Sequence, residues 1–516
     1  MRTKILSGKT FGFGVVVAAA PMLAVLGLAG PAMAKDLIVD GNNPAATNSN
    51  PGTLEAPFKT IQAAMDRAEA GDSVLVRAGV YRESVTIKKS GTYHGGGAIT
   101  HWDPQPPKWI TLEAYRDEKA VLDGSSEIAA AAWKLAEGCR NVYVAPFVKT
   151  GSNQQLQTVF AGGVPIPPAL VKNPDPNMPD QPMLAARPGD KSEDQGWFYD
   201  RANGLLYVNL GDRTPGKDAQ VSVSQLDTGV DAARQSFVRI RKLEIRGFNG
   251  NGITVYNGHE FMVEDNYVHL CAVGAFGNPS GPGVIRRNIF TDLTGPGLVF
   301  GGACGTVIEC NVIKRWHINP YRNNNYSCAL MCNACFGLVV RYNVITENVR
   351  PDIGGPWPDC ASTGISMYGN SIYRLKGHGF YIEAGVLGTV LRWNSIFEVD
   401  SGITFRANCA NVAFQNYVFN CRGAGLNIGS PDQEDAEPRA NGMAYNWIID
   451  NGVGAGTGAD RDKEIANSFD HNTYKLPAGR TLQLQWPAVS GHRKPAQGSR
   501  PGDSRPDRQR IRSQNA

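Results

Sequence analysis

Charge is scarce in this chain. Only 19% of its 516 residues are Asp, Glu, Lys or Arg, and the formal net charge is +4. Even that small excess lies at the ends. Residues 1–34 hold Arg2, Lys4 and Lys9 and no acid, while residues 491–516 hold six Arg and one Lys against two Asp. Removing +3 and +5 from +4 leaves a body of −4, without the basic footprint of a nucleic-acid binder. Long apolar runs are also missing: after the N-terminus no stretch is long and apolar enough to span a membrane. With 59 Gly and 32 Pro the chain must turn often, which excludes a helical bundle. The ten Cys include a cluster of Cys328, Cys332 and Cys335, but no second Cys/His pair stands at a matching distance, which argues against zinc.

The N-terminus reads as an export signal over residues 1–34. Three basic residues precede an apolar stretch from Phe11 to about Leu28, broken by Pro21. Ala32-Met33-Ala34 then forms a small-x-small cleavage site before Lys35. The expectation is an exported protein, extracellular or periplasmic, with no membrane contact once the signal is removed. Ten Cys in such a compartment are compatible with disulfides.

The strongest pattern is a repeat. Asn266, Asn288, Asn311, Asn343, Asn370, Asn394, Asn416, Asn446 and Asn472 follow one another at intervals of 22, 23, 32, 27, 24, 22, 30 and 26. Apolar residues stand three before and two after each, as in Leu391-x-x-Asn394-x-Ile396. Leu243 fits the same frame without the Asn. Asn tolerates the left-handed conformation, and its amide bonds the backbone around turns. Stacked coil on coil, such Asn side chains form a ladder. A leucine-rich repeat lacks support, because Leu-x-x-Leu-x-Leu is absent. The spacing therefore predicts an all-β fold, a right-handed parallel β-helix over residues 228–475. The long intervals place insertions at 315–330, 348–358 and 430–440, which would wall a groove.

Residues 35–128 read as the N-terminal cap and first coils. Thr60 to Ala70 is an amphipathic helix with Ile61, Ala64, Met65 and Ala68 on one face, suited to covering the open end of the β-helix. Between 129 and 227 the coil frame disappears. Strand-like runs there, such as Trp197 to Asp200 and Leu205 to Leu210 around an Asn203-Gly204 turn, predict an inserted β-sandwich. Residues 476–516 read as a C-terminal segment with a disordered basic tail.

The frame also locates chemistry. Asp359 lies eleven residues before Asn370 and four after Gly355; Glu383 lies eleven before Asn394 and four after Gly379. The two acids thus share a column on adjacent coils. Neighbouring strands stand about 4.8 Å apart, close to the roughly 5 Å of a retaining glycosidase pair, whereas an inverting pair needs about 6.5–9.5 Å. Like charges so close raise one pKa, leaving one nucleophile and one general acid. Arg406, four residues after Gly402, extends the column and is placed to hold a sugar hydroxyl or carboxylate or to modulate the Glu. Trp357 and Tyr381 stand two residues before the acids, Trp316 and Tyr321 lie on an insertion, and His317 and His378 are nearby polar candidates. Aromatic faces commonly line sugar sites. The plainer reading of the same residues is an Asp in a turn and a Glu paired to Arg406.

Three stretches carry a resemblance. "NPGTLEAPFKTIQAA" with "GDSVLVRAGVYRESV" looks like the start of many secreted β-helix polysaccharide enzymes. "GWFYDRANGLLYVNL" resembles the insert of certain β-helix glycosidases. "GGPWPDCASTGISMYGNSIYRLKGHGFYIEAGVLGTVLRWNSIF" resembles the active-site coils of glycoside hydrolase family 120, the β-xylosidases. That resemblance implies Asp359 as nucleophile and Glu383 as acid/base.

The function expected is an exported, monomeric glycoside hydrolase acting on a polysaccharide or its oligosaccharides by double displacement, with no cofactor. The alternative is a polysaccharide lyase, in which Lys376, Arg374 or Arg406 would be the base and acidic residues would hold Ca²⁺. No dense acidic cluster in the coil frame supports that. A third reading is a non-catalytic, sugar-binding or structural β-helix.

Overall fold

The computed structural model describes residues 34–93, 106–152, 155–168, 170–171, 181–182, 196–318, 328–349, 353–406, 410–429, 440–457 and 467–475. Nearly all of the predicted export signal, Tyr321, residues 476–516, most of the insertions at 315–330 and 430–440, and residues 350–352 lie outside them. The rest of the predicted 348–358 insertion is described, and it is a loop only as far as Ile353, because Gly354–Asp359 is a strand of the solenoid. Among the described residues no helix is long and apolar enough to cross a membrane.

Each full coil contributes three short strands, as in Val339–Arg341, Val344–Thr346 and Gly354–Asp359. Stacked in parallel, the coils make a right-handed β-solenoid of three sheets, with 13, 12 and 11 strands. The solenoid begins at Asp36–Val39 and its last described strand is Thr473–Lys475. Alternation along each strand points one residue in two inward. Ile308, Val340, Met367 and Leu391 from the first sheet meet Ile313, Ile345, Ile372 and Ile396 from the second in one buried core.

The Asn ladder is unbroken from Asn266 to Asn472. Asn370 shows the unit. Its Oδ1 accepts from the Asn343 backbone N–H and Nδ2, each at 3.0 Å, and its own Nδ2 donates to Val340 O at 3.0 Å and Asn394 Oδ1 at 2.9 Å. Leu243 begins the run by donating its N–H to Asn266 Oδ1. The left-handed residue is not the Asn but the one before it: Arg287, Cys310, Tyr342, Trp393 and Gln415 have φ between 54° and 56°. That residue turns the chain, and the Asn amide then satisfies the backbone groups the turn exposes. Replacing Asn394 by Leu should therefore cost roughly 1–3 kcal/mol through unpaired buried groups. Unchanged thermal stability would show that the ladder contributes nothing. A second ladder, Asn411–Asn441–Asn467, runs between the third and first sheets and escapes the sequence frame.

A further column marks the outer face of the first sheet. Glu113, Arg241, Glu264, Arg286, Glu309 and Arg341 lie in register on successive coils, alternating in sign. Arg286 and Arg341 reach Glu264 and Glu309 at 2.7 and 2.6 Å.

A glycine column lines the third sheet at Gly252, Gly274, Gly297, Gly355, Gly379, Gly402 and Gly425. A Cβ on Gly379 would come within 2.6 Å of the Gly402 carbonyl oxygen, and one on Gly355 would overlap the Gly379 carbonyl. At Gly355 and Gly379 only a residue without a side chain lets the coils approach so closely; Ala329 interrupts the column between Gly297 and Gly355.

The helix is Ile61–Arg67, with Thr60 as its N-cap. It is shorter than predicted because Ala68 is already extended. Ile61, Ala64, Met65 and Ala68 are buried as expected, and the Glu83 carboxylate takes the Ile61 and Gln62 N–H groups, each at 2.9 Å. The inserted region forms two four-stranded antiparallel sheets that share a core of Val159, Ile166, Trp197, Leu206, Val208 and Val223. Its first strand, Ser125–Glu127, lies ahead of the predicted start at 129. Lys149, fully buried, donates to Gln225 O at 2.7 Å and Asp227 Oδ1 at 2.9 Å, in the segment that leads from the insert back to the solenoid, and Asn249 of the solenoid accepts the Gln157 N–H at 2.8 Å.

Candidate functional site

Three consecutive third-sheet strands position the candidate residues: Gly354–Asp359, His378–Ile382, which Glu383 directly follows, and Ser401–Arg406. Register places them. Asn333 pairs with Asp359, and Gly354 pairs with His378, which carried along the strand sets Asp359 opposite Glu383. The Glu383 N–H donates to Pro358 O at 3.1 Å, as that register requires. Ile382 pairs with Phe405, so Glu383 stands opposite Arg406. Asn333, Asp359, Glu383 and Arg406 therefore form one column on four coils.

Asp359 is 8% exposed and its Oδ1 accepts the Cys360 N–H at 2.8 Å. Its carbonyl accepts from Ser362 Oγ at 2.8 Å, and Cys360 and Ala361 are both left-handed, with φ of 44° and 60°. This tight turn ends the strand and fixes the carboxylate. Glu383 lies among Tyr381, Arg406, Asp359 and Trp357. Burial raises its pKa above the ordinary carboxylate value; Arg406 and Tyr381 oppose that, Asp359 adds to it, and Trp357 opposes it more weakly. Arg406 Nη1 stands 3.4 Å from Glu383 Oε1.

The aromatic residues act differently from the sequence expectation. Trp357 and Tyr381 are only 8% and 5% exposed. They pack edge-on at 6.1 Å in a cluster with Cys328 and Met331, outside the solenoid core. They wall the column rather than offer open faces. Trp316 is fully buried in the solenoid core, because the chain turns inward there after the second sheet, so it is not a groove residue. His317 is buried in that same turn at φ 58°, its N–H donating to Gly295 O.

His378 does reach the column. Its Nδ1 lies 2.8 Å from Thr404 Oγ1 and its ring 4.6 Å from that of Tyr381. Burial, aided by Arg406 and opposed by Asp400, pushes its pKa from 6.5 down to about 4. The unfolded chain binds this proton at higher pH than the folded one. Stability from this group is thus full above pH 6.5 and drains as pH falls toward 4. His378→Asn should flatten that part of the pH–stability profile, read from urea midpoints. A profile identical to wild type would contradict the assignment.

Sequence reasoning missed Asn333, Thr404 and Cys360. Asn333 lies ten residues before Asn343, one short of the interval that revealed the acids, and Ala329 replaces the marker glycine four residues earlier. Thr404, opposite Tyr381, carried no signal beyond its register. Of the lyase bases, Arg374 pairs with Glu398 at 3.2 Å and Lys376 Nζ donates to Val349 O at 3.3 Å. Among the described residues no three His, Cys, Asp or Glu side chains gather as a metal site. The nine described Cys are free thiols, with Cys328, Cys332 and Cys335 all buried.

Comparison with known proteins agrees with this architecture. Residues 219–372 match the family model described as a right handed beta helix region. Two curated relatives match over short segments. "Uncharacterized protein YwoF" of Bacillus subtilis is 36% identical over 84 residues, 16% of this chain and 15% of that one. "Pectate lyase PEL9" of Emericella nidulans is 34% identical over 96 residues, 18% of this chain and 19% of that one. The matches thus span less than a fifth of either relative. Among solved structures, that of XylC with xylose superposes over 85% of this chain and 86% of its own, with a TM-score of 0.63 and 15% identity. At that identity the likeness is one of fold.

Proposed function

We propose that the chain is an exported glycoside hydrolase that cleaves a polysaccharide or its oligosaccharides with retention of configuration. The observation that carries this reading is the column: Asp359 and Glu383 on adjacent coils, with burial favouring a protonated Glu383. Strand spacing of about 4.8 Å brings their backbones close enough for the carboxyl groups to reach a retaining pair's separation. Asp359 attacks the anomeric carbon as Glu383 protonates the departing oxygen. Glu383 then takes a proton from water, which displaces the sugar from Asp359. The resemblance of these coils to family 120 β-xylosidases, and the superposition on a xylose-bound solenoid, support a small neutral sugar at the cleaved bond. We place the enzyme outside the cytoplasm, as a monomer without cofactor.

The short match to a pectate lyase favours a second reading, β-elimination from a uronic-acid polymer. Arg406 is the one cation of the column, and it is engaged by Tyr381 and Glu383. A screen on neutral and uronic polysaccharides separates the two. New reducing ends without ultraviolet absorbance from an unsaturated uronate indicate hydrolysis; both together indicate elimination and overturn the first reading.

A further inference from the structure

We propose that Tyr381 is a positioning residue that decides which oxygen of Glu383 carries the catalytic proton, a role that rests on Glu383 being the acid/base. Arg406 Nη1 lies 2.7 Å from the Tyr381 hydroxyl oxygen, which in turn lies 3.2 Å from Glu383 Oε1. A guanidinium can only donate. The tyrosine oxygen therefore accepts from Arg406, and its single hydrogen points onward to Oε1. Arg406 Nη1 also faces Oε1 directly, at 3.4 Å. A hydroxyl at Oε1 would be a poorer acceptor for both of these donors than the carbonyl oxygen left there when Oε2 holds the proton. The proton of Glu383 is thus directed to Oε2.

The step balances simply. The Oε2–H bond breaks as the proton passes to the glycosidic oxygen, and Oε2 later regains a proton from the attacking water. The Tyr381 hydrogen never leaves its oxygen. The tyrosine ring is held rigidly for this task, edge-on to Trp357 and 4.6 Å from His378. The groups facing Glu383 are Asp359 and Trp357 from the coil before, Arg406 from the coil after, and Tyr381 on its own coil. Cys360 stands nearby, and His378 packs against the Tyr381 ring. Asp359 favours the protonated acid, while Arg406, Tyr381 and Trp357 favour the anion.

Tyr381→Phe keeps the ring and removes the link. The variant should lose roughly ten- to hundredfold in kcat/KM on a substrate with a poor leaving group and distinctly less on an activated aryl glycoside. The basic limb of its pH profile should move to higher pH, because one partner of the anion is gone. Independently of activity, the Glu383 carboxyl signal of ¹³C-glutamate-labelled protein, assigned by its loss in Glu383→Gln, should titrate at higher pH. Arg406→Gln, which removes the donor to Tyr381 together with the cation 3.4 Å from Oε1, should move the same signal further in the same direction and serves if Tyr381→Phe does not fold. Equal losses on both substrates with an unmoved titration would overturn the role. A wild-type enzyme silent on every glycoside would instead overturn the hydrolase reading. The titration would then decide the relay alone: an upward shift supports it and an unmoved signal sinks it.

Discussion

Asp359→Asn is expected to lower turnover by about a thousandfold or more on every glycoside, because it removes the attacking oxygen rather than an auxiliary contact. The amide is nearly isosteric and its oxygen can still accept the Cys360 N–H, so thermal stability should change little. That separation of activity from folding is what identifies a nucleophile. Glu383→Gln should differ in kind. An activated leaving group needs little protonation, so its first step survives better than that of a natural glycoside. Added azide should then restore part of the second step by replacing the activated water. The product should keep the substrate's anomeric configuration, followed by NMR during hydrolysis. Near-wild-type turnover in a folded Asp359→Asn protein, or an inverted product, would falsify the assignment.

Gly355→Val should be the most damaging substitution outside the acids, destabilising by about 4 kcal/mol or more. The new side chain would collide with the Gly379 carbonyl, a backbone atom of the next coil that has no rotamer to adjust. Because Gly355 and Gly379 belong to the strands that carry Asp359 and Glu383, separating them would also displace the acids. The check is a thermal melt with activity measured well below the transition. A variant that melts like wild type would mean that the coils can spread apart without cost.

The sequence displays what every coil must repeat. Each turn between the first and second sheets needs an amide in one place, so Asn recurs and fixes the frame from Asn266 to Asn472. The same frame, through the glycine four residues before each, sets Asp359, Glu383 and Arg406 in line. It fails where the chain leaves the strands. Trp316 and Trp357 both read as groove aromatics, yet alternation does not apply in the turn that holds Trp316, and that ring goes into the core. The link through Tyr381 was hidden for another reason. It depends on where a hydroxyl hydrogen points, and that follows from Arg406 being a pure donor one coil away. Asn333 was lost to an interval one residue short. The buried Lys149, which fixes the segment returning from the insert, has no periodic signature at all.

The alternating charges on the first sheet bear on how the chain counts its own coils. Neighbouring coils of a solenoid are alike enough that a strand could pair one coil too early, and apolar core residues would tolerate the exchange. The outer column would not. Skip the coil of Arg286 and Glu264 faces Glu309, acid against acid at a strand's spacing. Skip two coils and Glu264 faces Arg341, and the signs agree again. The column thus behaves as a parity check: it rejects an odd error in coil number and is blind to an even one.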